Sequence, residues 1–505
     1  MNIINCLNEG IDKAQRGDIL GAIANFDRVL EVDPNYSKGY YNRGRAWYDL
    51  GNYEKAIADF NQALQLNAEY VAAYNNRGNA YRCLGEFQKA IYDFQQALHL
   101  NPHFTIAYLS RGLIYLDLQY YEAAIADFDQ VIELNPDSSK AYISRGLARF
   151  ELGNFPAAIE DYEQALRIEP DLAQAYNNRG MARFYLKDCL GAIEDFNLAL
   201  KSDPNLVEAY NNRGLARFEL GDTTGAIEDL KQALSMDSSL SKIYYNRAFA
   251  RYKIGDKLGA IEDYNHTVQI DPNDAEAYNN RGNACALVGD YQGALENYTK
   301  AIKINPKKAN AYYNRGLAHY FVGDNHQAIA DFNQAIELNP DYAAAYNNRG
   351  IAYRNQGDIQ QALADFNHAL RVNPLLAEAY VSRGLTRSDL ADKKGAIEDF
   401  DRSLQLNPND ARTYNSRGFI RYRLGNNRKA IEDFNRALQL NPNLSAAYLN
   451  RGLARFHVGD RQGGIEDINH ALNLNPSIPI DDEMQIDSTY ITSDEMNVNS
   501  KFAEA

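Results

Sequence analysis

Residues 411–444 read Ala411-Arg412-Thr413-Tyr414-Asn415-Ser416-Arg417-Gly418-Phe419-Ile420-Arg421-Tyr422-Arg423-Leu424, then Gly425-Asn426-Asn427-Arg428, then Lys429-Ala430-Ile431-Glu432-Asp433-Phe434-Asn435-Arg436-Ala437-Leu438-Gln439-Leu440-Asn441-Pro442-Asn443-Leu444. Ala430, Ile431, Phe434, Ala437 and Leu438 fall at i, i+1, i+4, i+7 and i+8, which is one face of an α-helix. Gly425-Asn426 is a turn signal. Asn441-Pro442 closes the stretch, because the residue before a proline is pushed out of the helical region. The stretch predicts a helix, a tight turn, a second helix and a stop.

The same pattern recurs every 34 residues along the 505-residue chain as far as Pro476, without an insertion. With each unit counted from 1 to 34, position 4 is tyrosine from Tyr40 to Tyr448, and Cys6 in the first unit. Position 8 is glycine (Gly44, Gly78, Gly112 and onward), Ala248 excepted, and position 20 is alanine except at Gly464. Small residues at both places let two helix backbones approach closely. Position 24 is aromatic apart from Leu230 and Ile468, and position 32 is proline apart from Ala68 and Ser238.

Taken together, these positions resemble the tetratricopeptide repeat, whose 34-residue signature has an aromatic at 4, Leu-Gly at 7–8, Ala at 20, Phe at 24 and Pro at 32. The resemblance covers residues 3–476 as fourteen repeats, the first acting as an N-terminal cap, with residues 477–505 as an acidic C-terminal tail. It implies an all-α fold, a right-handed α-solenoid superhelix of helical hairpins whose first helices line a concave groove. No hairpin of this kind buries its apolar face alone, so neighbouring repeats supply the core.

One position departs from the family. Position 7 should be leucine, yet every unit after the first has arginine, from Arg43 to Arg451. A guanidinium in a packed seam needs a partner, and position 23 is aspartate in all those units except at Asn297. Seven units add arginine at position 11, and all seven have glutamate at position 22. The sequence therefore predicts ion pairs that clip the two helices of a repeat together, Arg213 with Asp229 and Arg217 with Glu228 in the seventh unit. The competing reading makes the arginines a basic stripe for an anionic ligand.

Position 6, groove-facing in the family, is asparagine at Asn8, Asn42, Asn76, Asn178, Asn212, Asn246, Asn280, Asn314, Asn348 and Asn450. Amides carry donors and acceptors, so a ladder of them can track the main chain of an extended peptide. The pattern resembles the asparagine ladder with which the repeat domain of O-linked N-acetylglucosamine transferases holds substrate peptides; the other reading is that the amides tie neighbouring repeats together. Positions 9 and 12 add an apolar run that includes Phe150, Phe184, Phe218 and Tyr252. Aromatics are favoured interface anchors, although each can equally pack into the next repeat. A carboxylate-clamping groove of the kind seen in some family members is not expected, because Asn279, Ala344 and Asn348 stand where its lysine and basic pair would be.

Composition narrows the function. The net charge of −15 includes seven acids against Lys501 in the tail. A phosphate-binding surface shows a basic excess, so nucleic acid is a disfavoured partner. The four cysteines are far apart, with no disulfide framework or zinc spacing, and no apolar stretch approaches a membrane span. The N-terminus shows no secretory signal. No metal, cofactor or catalytic constellation is expected, and the setting predicted is reducing and cytoplasmic. The sequence points to a non-enzymatic scaffold binding extended peptide segments or partner proteins in its groove. A helical-repeat RNA binder and a regulatory subunit of a separate enzyme are the alternatives. The tail either covers the last helix through Ile478, Ile480 and Met484 or lacks fixed structure, and a bare last face would permit self-association through terminal repeats.

Overall fold

Each 34-residue unit places a 13-residue helix, here called A, before a 14-residue helix, B, as in Val207–Glu219 and Thr223–Met236. The computed structural model describes residues 3–478, and among them every regular element is a helix, twenty-eight in all. Tail residues Ile480 and Met484 lie outside the described residues; Ile478, inside them, is half-buried.

Local chemistry sets the boundaries. Between A and B the chain turns through position 15, where Gly221 sits at φ 86° and Gly425 at φ 78°, a left-handed conformation that glycine adopts without a Cβ clash. Position 16 then caps helix B: the Asp222 carboxylate accepts from the Gly225 backbone N–H, satisfying an otherwise unpaired donor of the first turn. At the far end Asn441 is extended, as the following Pro442 requires.

The two helices of a repeat meet where position 8 faces position 24. The alanines at position 20 and the aromatic rings at position 24 are fully buried, Ala56, Ala192, Phe60, Phe94, Phe196 and Phe434 among them. Each of these rings lies against a position-8 glycine; a Cβ on Gly180 would come within 2.7 Å of Phe196 Cε1. Every helix packs against helices no more than two places away in the chain. Within each unit, a repeat thus buries its apolar face against its own partner helix and the neighbouring hairpins.

The helices divide into two compact units, Met1–Asp237 and Ser238–Ala505. Within each, fourteen helices stack as consecutive hairpins. The boundary falls at Ser238, one of the two places where position 32 lacks proline.

The close approach at position 8 has a testable cost. Alanine normally improves a helix interior over glycine by roughly 1 kcal/mol. In Gly180→Ala this gain is outweighed by overpacking against the Phe196 ring, for a net loss of about 1–3 kcal/mol. In Gly214→Ala the nearest atom is the Leu230 Cγ at 3.1 Å, and the loss is smaller. Hydrogen exchange of the two A helices orders the variants.

Candidate interaction surface

The arginine at position 7 is the most heavily partnered side chain of the repeat. Arg213 Nε and Nη2 donate to the two oxygens of Asp229 at 2.9 and 2.6 Å, a bidentate pair. Its Nη1 donates to Asn197 Oδ1, at position 25 of the preceding repeat, at 2.6 Å. The guanidinium carbon also lies 5.4 Å from the centre of the Tyr210 ring at position 4, within cation–π range. One side chain therefore joins helix A to its own helix B and to the hairpin before it. The same double bond to position 23 recurs, for example, in Arg77 with Asp93, Arg349 with Asp365 and Arg451 with Asp467. Where position 23 is Asn297, Arg281 donates to its amide oxygen at 2.7 Å, and burial without a carboxylate lowers the Arg281 pKa. The hydrogen bond to Asp331 raises that of Arg315. The first repeat has an amide at the centre of the seam instead: Lys13 donates to Asn25, which donates to Glu9.

Arg217 corrects the expected pairing. Its Nη1 lies 2.9 Å from Asp229 Oδ2 and donates to the Gly225 carbonyl, and its Nε is 3.8 Å from Asp222. Glu228 is exposed and is not its partner. Successive helix residues point about 100° apart, so when position 23 faces helix A, position 22 faces outward. The carboxylate at 23 is shared by both arginines; the co-occurrence of arginine at 11 with glutamate at 22 corresponds to no contact. With every position-7 guanidinium engaged in this way, the arginines do not form an open basic stripe.

Burial pushes the Asp93 carboxyl above the usual carboxylate range, and the Arg77 bond opposes that shift. Position 11 of that repeat is Tyr81, so Arg77 is the only arginine on Asp93, whereas Asp229 has two. Arg77→Ala should therefore cost about 3–5 kcal/mol, the price of a buried carboxylate left alone. Arg213→Ala should cost less, because Arg217 remains. Local opening of helices Phe87–Leu100 and Thr223–Met236, read by hydrogen exchange, measures both.

His319 occupies position 11 of its repeat, with Nε2 3.9 Å from Asp331 Oδ2. Burial lowers its pKa from the ordinary value. The folded state thus disfavours the protonated ring, and stability is present above the unfolded-state pKa and lost as pH falls through it, near about 6.5. His319→Arg should form the Arg217-type pair with Asp331 without a glutamate at position 22, where Ala330 stands, and should abolish that acid-side loss. Thermal unfolding between about pH 7.5 and 5 separates the two proteins.

The position-6 amides differ between the units. In the first, Asn42 donates to Lys38 O at 2.7 Å, Asn178 accepts from Gln174, and both are half-buried. Asn76 donates to the Tyr41 hydroxyl and Asn212 to Asn177 Oδ1, one repeat back, at 3.1 and 3.0 Å. In the second unit Asn246 and Asn280 are half-buried, and Asn280 donates to Tyr245. Asn314, Asn348 and Asn450 are buried, bonded to Asn279, Tyr313 and Asn415 of the preceding repeat. There the amides bond neighbouring repeats to one another. Phe150, Phe184, Phe218 and Tyr252 are half-buried. Phe150 packs beside Tyr162 and Ala182, and Phe184 beside Phe196 and Ala216, so each seals the seam to the next repeat while leaving an edge open.

Sequence reading missed a recess of about 200 Å³ in the first unit, lined by Arg45, Tyr48, Asp49, Phe60, Asn76 and Asn79. Arg45 and Asn79 both stand at position 9, where the following repeats carry leucine and methionine; that polar break was its available signal. Among the described residues no cluster of His, Cys, Asp or Glu has the makings of a metal site, and no helix is long and apolar enough to cross a membrane.

These are the features of a tandem helical-repeat protein. Profiles described as "Tetratricopeptide repeat" match residues 71–104, 309–342, 343–374 and 411–444, with others at 173–206, 264–296 and 377–410. A profile described as "TPR repeat" matches 44–85, 112–153, 146–187, 214–255 and 282–323. The chain belongs to the tetratricopeptide repeat family. That membership supports a protein-interaction scaffold, in a family generally without catalytic activity. Comparison with curated proteins returned no match. Among solved structures, MamA is 30% identical over 33% of this chain and 96% of its own, with a TM-score of 0.31. The Cut9-Hcn1 hetero-tetramer of the APC/C is 15% identical, covering 90% of this chain and 96% of that one, TM-score 0.44. Yeast Tom70 is 19% identical over 81% and 92%, TM-score 0.39.

Proposed function

We propose that the protein is a non-enzymatic scaffold that holds extended peptide segments of partner proteins on the A-helix face of its first unit. The observation that carries this reading is the accessibility of that face. Position 9 is half-buried or exposed in all seven repeats of the unit, and the position-6 amides Asn42, Asn76, Asn178 and Asn212 are half-buried rather than sealed. An extended peptide presents alternating main-chain donors and acceptors, which such amides match with little regard for sequence. The recess at Arg45, Asp49 and Asn79 offers an anchor for a polar side chain, with opposite charges on its walls. Open aromatic edges at Phe150, Phe184 and Phe218 offer apolar contacts farther along. The acidic net charge argues against the RNA-binding alternative.

Selection from a random-peptide library against the full chain tests the reading. The expected outcome is enrichment of peptides that bind the wild type and lose affinity tenfold or more in Asn76→Ala/Asn178→Ala/Asn212→Ala, since each neutral hydrogen bond contributes about 1 kcal/mol. Equal affinity of the selected peptides for both proteins, with unchanged circular dichroism, would rule the ladder out.

A further inference from the structure

Position 9 of the A helices carries a charge at one place in the chain, Arg45 in the second repeat; every other repeat has an apolar or amide side chain there. One turn further along the same helix stands Asp49, its last residue. Both line the recess of about 200 Å³, together with Tyr48, Phe60, Asn76 and Asn79. Opposite charges one helical turn apart often pair, but these do not. Among the described residues neither Arg45 nor Asp49 stands in an ion pair, and Arg45 lies beside the Tyr41 hydroxyl with donors to spare. The backbone dipole also disfavours a carboxylate at the C-terminal end of a helix, where Asp49 stands. Two other lining groups are already engaged. Asn76 donates to the Tyr41 hydroxyl at 3.1 Å and accepts from Asn75 at 3.2 Å, and the Tyr48 hydroxyl meets Cys83 Sγ at 3.5 Å. The half-buried Asn79 amide makes no side-chain hydrogen bond to a described residue. The recess therefore presents a cation, an anion and a whole amide that the fold itself does not use, beside the Phe60 ring.

We propose that this recess takes the primary carboxamide of an asparagine or glutamine side chain, and so selects which extended segments the first unit holds. The inference rests on the peptide-binding reading above and adds its specificity. A carboxamide carries two N–H donors and two acceptor lone pairs on its carbonyl. Its oxygen has Arg45 and Asn79 Nδ2 as donors, and its amino group has Asp49 and Asn79 Oδ1 as acceptors, so every group finds a complement. Being neutral, it faces neither Arg45 nor Asp49 with a like charge. Aspartate or glutamate would satisfy Arg45 and be repelled by Asp49; lysine or arginine would do the reverse. A serine or threonine hydroxyl brings one donor and leaves either Asp49 or the Asn79 carbonyl without one. An apolar side chain would desolvate all three groups and bond to none.

The test selects peptides from a random library on the full wild-type chain and, in parallel, on Arg45→Gln and Asp49→Asn, which change exposed side chains outside the seam. The expected wild-type peptides share an asparagine or glutamine whose replacement by glutamate, lysine or leucine weakens binding about tenfold or more. On Asp49→Asn the shared residue should become aspartate or glutamate, because Arg45 is left unbalanced; on Arg45→Gln it should become lysine or arginine. The same shared residue in all three selections overturns the inference, as does a charged or apolar residue at that place in the wild-type peptides. Asn178→Ala/Asn212→Ala, which leaves the recess intact, separates it from the ladder. Peptides weakened by that variant yet lacking the carboxamide overturn the recess assignment alone. Peptides that carry the carboxamide and ignore the variant support the recess and remove the ladder. A wild-type chain that enriches no peptide overturns both.

Discussion

A half-buried guanidinium held between two helices needs a carboxylate or an equivalent acceptor, and here the carboxylate itself is buried. That constraint organises the chain more than any single apolar contact. Position 7 replaces the family's leucine with arginine, and a buried charge is costly unless it is paired and hydrogen-bonded. Asp229 meets Arg213 in a fork geometry that neutralises it, Tyr210 lies under its face, and Asn197 takes the remaining donor from the repeat before. The partners lie 16 residues apart on either side, so an insertion between them would separate the charges within the seam. The unbroken 34-residue period follows from that requirement together with the glycine-against-ring contact at positions 8 and 24.

Once positions 4, 7, 8, 11, 20, 23 and 24 are committed to holding hairpins together, the remaining variety is displayed on the A-helix face. A family scaffold needs this division between fixed seam and free surface: stability accumulates along neighbours, while recognition changes by single substitutions in the groove. The face differs in exposure between the two units. In the first, the position-6 amides and position-9 side chains keep contact with solvent. In the second, Asn314, Asn348 and Asn450 are engaged in repeat-to-repeat bonds, and Leu317, Ile351, Leu385 and Phe419 beside them are buried.

Much of this was legible in the residues. The 34-residue period and the helical spacing of Ala430, Phe434 and Leu438 define the hairpin, and the arginine at 7 with aspartate at 23 announces a charge pair. Arg217 shows where such reading stops. Co-occurrence with Glu228 was as regular as that with Asp229, yet only the helix rotation decides which carboxylate faces the seam. The fate of the amides was equally hidden, since Asn212 and Asn348 occupy the same position and differ in how far the surroundings enclose them. The boundary at Asp237–Ser238 coincides with clustered departures, Leu230 for an aromatic, Ser238 for proline and Ala248 for glycine, which were visible as exceptions but not as a division.

The charge pairs can be observed directly through the arginine Nε–H groups. Each position-7 Nε donates into the seam, at 2.8 Å from Asp93 in Arg77 and from Asp467 in Arg451. Nitrogen-15 NMR of selectively arginine-labelled protein should show a set of Nε protons exchanging with water at least tenfold more slowly than a free guanidinium, each lost individually when its own position-7 arginine is replaced by lysine. Nε protons that all exchange at the free rate would mean that the guanidinium groups are solvated, and the seam would have to be held by something else.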